Sequence, residues 1–253
     1  MEERKMIYLC LAHMSETGEE QKYVKEAFDT NWVVPLGPNV NGFEDDLKAF
    51  VSKNSDGSEL SREVVALSAG TAAVHLGLLA CGVGPGDEVC VQSFTFCASS
   101  HPITYLGATP VFIDSEPDSW NMDPELLEKA IIDRKEKTGK YPKAIVPVAL
   151  YGMPYDCDKI MAISEKYGIP VVEDAAEGCG SRWKGQVLGT FGKFGVLSFN
   201  GNKMITTSGG GALICQDAES KNNVMWYATQ ARDAYPYYQH TAIGYNYRMS
   251  NVC

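Results

Sequence analysis

The sequence has little of what metal-binding, disulfide-rich or nucleic-acid-binding proteins need. Its four histidines are scattered, and none of its eight cysteines lies in a CxxC pair or at a Cys/His spacing that suits zinc. Basic residues are outnumbered, 22 Lys and Arg against 32 Asp and Glu, so a broad cationic face for nucleic acid is not expected. No apolar run reaches the length of a membrane span. Residues 1–5 are charged and the short apolar stretch behind them is interrupted at His13, so a signal peptide is not expected either. Most cysteines sit in apolar stretches, where a free thiol acts as a small hydrophobe, and a reducing cytoplasm is the expected location. The dinucleotide turn G-x-G-x-x-G is missing too, because the turn at 68–73 offers only Gly70, and this argues against a nicotinamide dehydrogenase.

What is present is an ordinary globular composition, 45% hydrophobic and 21% charged, without repeats or low-complexity tracts. Helices are expected over 15–31, where Ser15 is a candidate cap and Tyr23, Val24, Ala27 and Phe28 form an apolar stripe, and over 42–51. From 64 onward the chain alternates. Strands are expected over 64–67, 88–92, 110–113, 144–150, 169–173, 194–199 and 212–215. Helices are expected over 70–81, 95–106, 123–137 and 156–167. This pattern predicts an α/β fold with a mostly parallel sheet covered on both faces, and a ligand site beyond the carboxyl ends of the strands. The organisation expected is an N-terminal segment over 1–60 and one large domain over 61–253.

Five segments carry candidate chemistry. Ser68-Ala69-Gly70-Thr71-Ala72-Ala73 follows a strand and opens a helix, so its free amides and the Thr71 hydroxyl suit a phosphate monoester, although a plain strand-to-helix turn reads the same way. In Gln92-Ser93-Phe94-Thr95-Phe96, Phe96 is placed to stack on a flat ring with Phe94 packing beneath, unless both belong to the core. Glu173-Asp174-Ala175-Ala176-Glu177 puts carboxylates at the end of an apolar strand, where a buried charge needs a partner; a helix cap by Asp174 explains the segment equally well. Lys203 lies between Ser198-Phe199-Asn200 and the run Gly209-Gly210-Gly211, although most loop lysines are merely solvated. A lysine amine for a Schiff base and an aspartate to keep a pyridine nitrogen protonated are the two groups that pyridoxal phosphate (PLP) requires. The fifth segment runs from His240 to Ser250 and mixes aromatic, polar and basic residues, as a ligand or subunit contact does, and as an exposed loop does.

Taken together, with the Gly37-Pro38-Asn39-Val40 loop and Gly244-Tyr245-Asn246-Tyr247-Arg248-Met249, these segments resemble the DegT-type nucleotide-sugar aminotransferases. The resemblance runs through nearly the whole chain. It implies the PLP-dependent transferase fold type I, aspartate aminotransferase-like, with a mixed, mostly parallel seven-stranded sheet. It implies that Lys203 holds PLP, Asp174 pairs with the ring nitrogen and Phe96 stacks on the ring. Gly70, Thr71 and Ser198 would hold the phosphate. Asn246 matches a residue that reaches the phosphate from a neighbouring subunit, which implies a homodimer with shared sites. The implied reaction moves an amino group from an amino acid, L-glutamate in most of the family, to a nucleotide-linked keto sugar. The subgroup most similar acts on UDP-4-keto-6-deoxy-N-acetylglucosamine for bacterial glycosylation and polysaccharide. Arg248 and Arg232 are candidates for the diphosphate or the donor carboxylate.

Two departures stand out. Position 177 is Gln or His in many relatives, bonded to the cofactor's phenolic oxygen, and here it is Glu177, which must be protonated, paired or turned away beside a phenolate. Family members also continue past the Asn-Tyr-Arg-Met segment into a small C-terminal domain, whereas this sequence stops at Cys253, so that domain is expected to be missing. A sugar or carbocycle dehydratase of the same family, and an inactive fragment, remain alternatives at this level.

Overall fold

In the computed structural model, residues 13–253 are described; residues 1–5 and Cys10, discussed above, lie outside the described residues. The sheet strands are β1 (Glu63–Leu67), β2 (Glu88–Gln92), β3 (Thr109–Ile113), β4 (Ala144–Val146), β5 (Val172–Asp174), β8 (Phe194–Ser198) and β9 (Gly211–Cys215), and β6 (Arg182–Trp183) with β7 (Gln186–Val187) forms a separate hairpin. The ladders run β3-β2-β4 and β1-β9-β8-β5. Parallel bridges Ile145–Val171 and Val148–Asp174 join β4 to β5, which gives one seven-stranded sheet in the order β3-β2-β4-β5-β8-β9-β1. Only β9 runs against its neighbours, pairing antiparallel with both β1 and β8.

Strand residues alternate between two cores. Val64, Ala66, Cys90 and Ile145 join α2 (Pro38–Val51), α5 (Pro124–Thr138) and α6 (Cys157–Tyr167) through Leu47, Leu127, Ile131 and Ile160. Val65, Leu67, Val89 and Val91 face the other way, against α3 (Gly70–Ala80), α4 (His101–Tyr105) and α7 (Ala218–Ala228). The period-two alternation thus covers both faces, the three-layer arrangement that buried parallel strands require. Helix α3 is apolar nearly all round because it is buried from Ala72 to Leu78.

Several expected boundaries shift, and proline explains most of them. The helix expected over 95–106 is a 3₁₀ turn, Cys97–Ser99, followed by the short α4; Pro102 has no N–H and is tolerated only in a first helical turn. The strand expected over 144–150 ends at Val146, before Pro147, and β5 begins after Pro170. Helix α2 starts earlier than expected, with Pro38 in its first turn. α1 (Glu19–Asp29) is capped by Gly18, not Ser15; the Ser15 hydroxyl instead donates to Glu20 at 2.6 Å. Of its expected apolar stripe only Ala27 is buried.

Arg248 is paired inside the fold and does not line the cavity described below. Its guanidinium pairs with Glu44 of α2 at 2.5 and 3.2 Å and donates to the Ala66 carbonyl of β1 at 2.9 Å. Glu44 in turn accepts the Ala66 N–H at 2.7 Å. Both side chains are buried, so each charge is satisfied only by the other and by backbone. Arg248→Ala is expected to lower unfolding free energy in urea by about 3–5 kcal/mol, the cost of stranding one buried charge. Glu44→Leu combined with Arg248→Met should recover much of that loss, because neither charge then remains.

Candidate active site

The parallel strands deliver their carboxyl ends to one edge of the sheet, where a cavity of about 620 Å³ opens. Ser68, Gly70 and Thr71 follow β1, Phe94, Thr95 and Phe96 follow β2, and Leu150 and Tyr151 follow β4; all line it. So do Asp174 at the end of β5 with Ala176 and Glu177 after it, and Ser198 at the end of β8 with Asn200, Asn202 and Lys203 after it. Of the residues predicted from sequence, Asn246, Arg232 and Arg248 do not line it. Asn246 is exposed, bridges to Thr229 and does not line the cavity of its own chain. Arg232 is also elsewhere, exposed with its guanidinium 4.3 Å from the Tyr238 ring centre.

The anion cradle is built by close backbone contact. α3 begins at Gly70 behind an extended Ala69, and no side chain caps its first amides, so these donors point onward into the cavity. A Cβ on Gly70 would lie 3.0 Å from the Ser198 Cβ, which brings the Ser198 hydroxyl beside the helix start. The same turn rests on β9: a Cβ on Gly211 would lie 2.3 Å from the Ala69 carbonyl carbon and 2.4 Å from the Gly70 nitrogen. Glycine at 211 is therefore a requirement of the crossing.

Asp174 ends β5 and is 5% exposed. Its Oδ2 accepts from the Ser99 hydroxyl at 2.5 Å and its Oδ1 from the Ala176 N–H at 3.2 Å. Burial pushes its carboxyl above the ordinary range; the Ser99 and Ala176 hydrogen bonds and the Lys203 charge pull it back, while Glu177 adds a small upward push. The neighbouring Glu173 points the other way. It accepts the backbone N–H groups of Gly189, Phe191 and Gly192 at 2.9, 2.6 and 2.6 Å, and so holds the loop before β8.

Lys203 is largely buried, and its Nζ lies 3.4 Å from Glu177 Oε1. The other Glu177 oxygen accepts the Tyr151 N–H at 2.7 Å. Glu177 is thus paired, one of the three arrangements its charge allowed. Tyr151 sits in the left-handed region (φ 50°, ψ 27°), uncommon for a non-glycine, and its ring is 70% exposed on the cavity wall. Phe96 is 74% exposed and projects into the cavity mouth. Phe94 does not pack beneath it as expected; its ring contacts Trp120, with centroids 5.7 Å apart.

Sequence reasoning missed Ser99, Tyr151, Asn200 and Asn202. The signal for Ser99 was its place four residues after Thr95 in the same turn as Phe96. The two asparagines are joined by a 2.9 Å hydrogen bond, and their place beside Lys203 was the signal.

The sequence profile of the DegT/DnrJ/EryC1/StrS aminotransferase family matches residues 14–253. The chain belongs to this family. It is 49% identical, over 98% of its length, to EpsN of Bacillus subtilis, a protein named as a pyridoxal phosphate-dependent aminotransferase, and covers 61% of that protein. It is 38% identical to a GDP-perosamine synthase of Escherichia coli O157:H7, with 98% of this chain and 64% of that protein covered. The chain therefore spans less than two thirds of the length of these relatives. A crystal structure of a family aminotransferase from Brucella abortus superposes with a TM-score of 0.85 at 32% identity, covering 93% of this chain and 61% of that one. The PLP form of a protein described as a sugar aminotransferase, Spr1654 of Streptococcus pneumoniae, gives 0.82 at 27% identity, covering 97% and 64%. The fold is thus that of the PLP fold type I aminotransferases.

The residues present fit that cofactor. An uncapped helix start with a serine beside it suits the phosphate, and a buried carboxylate in the same cavity suits a protonated ring nitrogen. Gly211→Ala forces the Ala69–Gly70 turn to move and should weaken pyridoxal phosphate binding at least tenfold. Fluorescence titration reads this, and circular dichroism checks that the sheet is intact.

Proposed function

We propose that the protein is a PLP-dependent aminotransferase that moves an amino group from an amino acid, L-glutamate in this reading, to a keto sugar carried on a nucleotide. The observation that carries it is the convergence of Lys203, Asp174 and the Gly70 helix start on one cavity. Two relatives support the nucleotide-sugar part: the GDP-perosamine synthase above, and a protein of Pseudomonas aeruginosa named UDP-2-acetamido-2-deoxy-3-oxo-D-glucuronate aminotransferase, 38% identical over 86% of this chain. Within the class, UDP-4-keto-6-deoxy-N-acetylglucosamine is the substrate proposed.

Bound pyridoxal phosphate supplies the electron sink that makes the donor's α-proton acidic. The chain's own groups do the rest. The amides at Gly70 and Thr71, with the Ser198 hydroxyl, hold the phosphate. Asp174 would pair with the ring nitrogen and keep its proton in place. Phe96, on the cavity wall, would stack on the ring. Lys203 Nζ takes the proton from the donor α-carbon and delivers it on the other side of the exchange. Glu177 orients that amine through the 3.4 Å contact. In this reading residues 61–253 form the cofactor-binding large domain of a cytoplasmic homodimer. Asn246, exposed and outside its own cavity, reaches the phosphate of the partner subunit.

Borohydride reduction of the protein mixed with pyridoxal phosphate, followed by peptide mass spectrometry, should find the pyridoxyl group on Lys203. Lys203→Ala should lose the label and all turnover; a label retained elsewhere at full yield would overturn the assignment. With glutamate and a panel of UDP-, GDP- and dTDP-linked keto sugars, the product should gain one nitrogen. Loss of water without nitrogen would point to a dehydratase.

A further inference from the structure

Ser99 and Thr95 form a directed pair of hydroxyls behind Asp174. Ser99 is 1% exposed, and its Oγ lies 2.5 Å from Asp174 Oδ2. The Thr95 Oγ1 lies 2.8 Å from the same Ser99 Oγ. A hydroxyl has one proton, and an ionised carboxylate only accepts. Ser99 therefore gives its proton to Asp174, and the shared contact with Thr95 must run from Thr95 to Ser99. Both O–H dipoles then point at the carboxylate, and each bond polarises the next.

The turn that carries them also carries Phe96. The Ser99 N–H donates to the Phe96 carbonyl at 3.1 Å, and Cys97–Ser99 is one 3₁₀ turn after β2. One short segment thus presents a ring toward the cavity and a hydroxyl toward the carboxylate at its floor. No other side-chain hydroxyl donates to Asp174 among the described residues. The charged groups acting on it are Lys203 and, with opposite sign, Glu177.

We propose that Ser99, backed by Thr95, is a positioning residue that holds Asp174 ionised and oriented toward the cofactor's ring nitrogen. The inference rests on the cofactor reading above. In water a carboxylate is stabilised by several solvent hydrogen bonds; at this buried site Ser99 and the Ala176 N–H replace them. Without the Ser99 hydroxyl the neutral carboxyl gains ground, and a neutral carboxyl holds the ring proton less firmly.

The test is a pH titration of bound pyridoxal phosphate labelled with ¹⁵N at the ring, read by the nitrogen chemical shift, beside an affinity titration. In Ser99→Ala the ring nitrogen should lose its proton at a pH lower by about one unit or more, and affinity should fall about tenfold, the size of a lost charge-assisted hydrogen bond. Ser99→Thr should restore both. Thr95→Val should shift the titration in the same direction by less. A Ser99→Ala protein with an unchanged ring titration overturns the proposal, even if its affinity falls. If wild-type protein acquires no label on Lys203 after reduction, the cofactor reading itself has failed, a result distinct from an unshifted titration in a protein that binds.

Discussion

A carboxylate withdrawn from water is stable only where something replaces the solvent, and Asp174 sets this condition for the whole sheet edge. It ends a three-residue strand in the centre of the sheet, between β4 and β8. Its backbone is fixed by the segment after β4: its N–H donates to the Pro147 carbonyl at 2.9 Å, and its carbonyl accepts from Ala149 at 3.0 Å. Its oxygens are claimed by a turn after β2 and by its own loop. The lysine across the cavity supplies opposite charge. The turn after β2, the loop after β5 and the segment carrying Lys203 are therefore all tied to the burial of this group.

The second constraint is closeness. The phosphate turn lies on the backbone of β9 at Gly211, and Gly70 lies against Ser198. Such contacts leave no room for a further side chain, so the Ala69–Gly70 turn is set by main chain, with the Ser198 side chain beside it. A main-chain cradle varies little with rotamer, which suits a site that must hold one cofactor in one orientation. The rim is different: Phe96, Tyr151 and Met204 are largely exposed side chains. The architecture divides the cavity into a rigid floor for the cofactor and a side-chain rim for whatever approaches it.

Apolar runs made the seven sheet strands legible, because strands buried on both faces read as continuous hydrophobic stretches. The Gly70 turn and Asp174 were legible for a related reason: each sits at the carboxyl end of such a run, with Lys203 in the loop just beyond another. What failed to show was of two kinds. α7 is polar over Ala-Glu-Ser-Lys-Asn-Asn, so no apolar period announced it, although Asp217 caps it by accepting the Ser220 N–H at 2.7 Å. Contacts distant in sequence could not be read at all. Arginine suits an anion site, which made Arg248 a candidate, yet its partner Glu44 lies 204 positions away. Ser99 and Asp174 are 75 apart, and no local pattern links them.

The reversed direction of β9 has a consequence for how the lysine is delivered. Two strands running the same way need a crossover of a dozen or more residues, usually a helix lying over one face. Strands running opposite ways need only a bend at the tip. Since β8 and β9 oppose each other, the polypeptide turns back over 199–210 at the very edge where the cofactor cradle opens, and Lys203 rides on that bend. Had β9 followed the direction of its neighbours, the chain leaving Ser198 would have had to dive to the far edge of the sheet. One strand inverted in an otherwise co-directional sheet thus keeps Lys203 five residues beyond Ser198 of β8 and eight before Gly211 of β9.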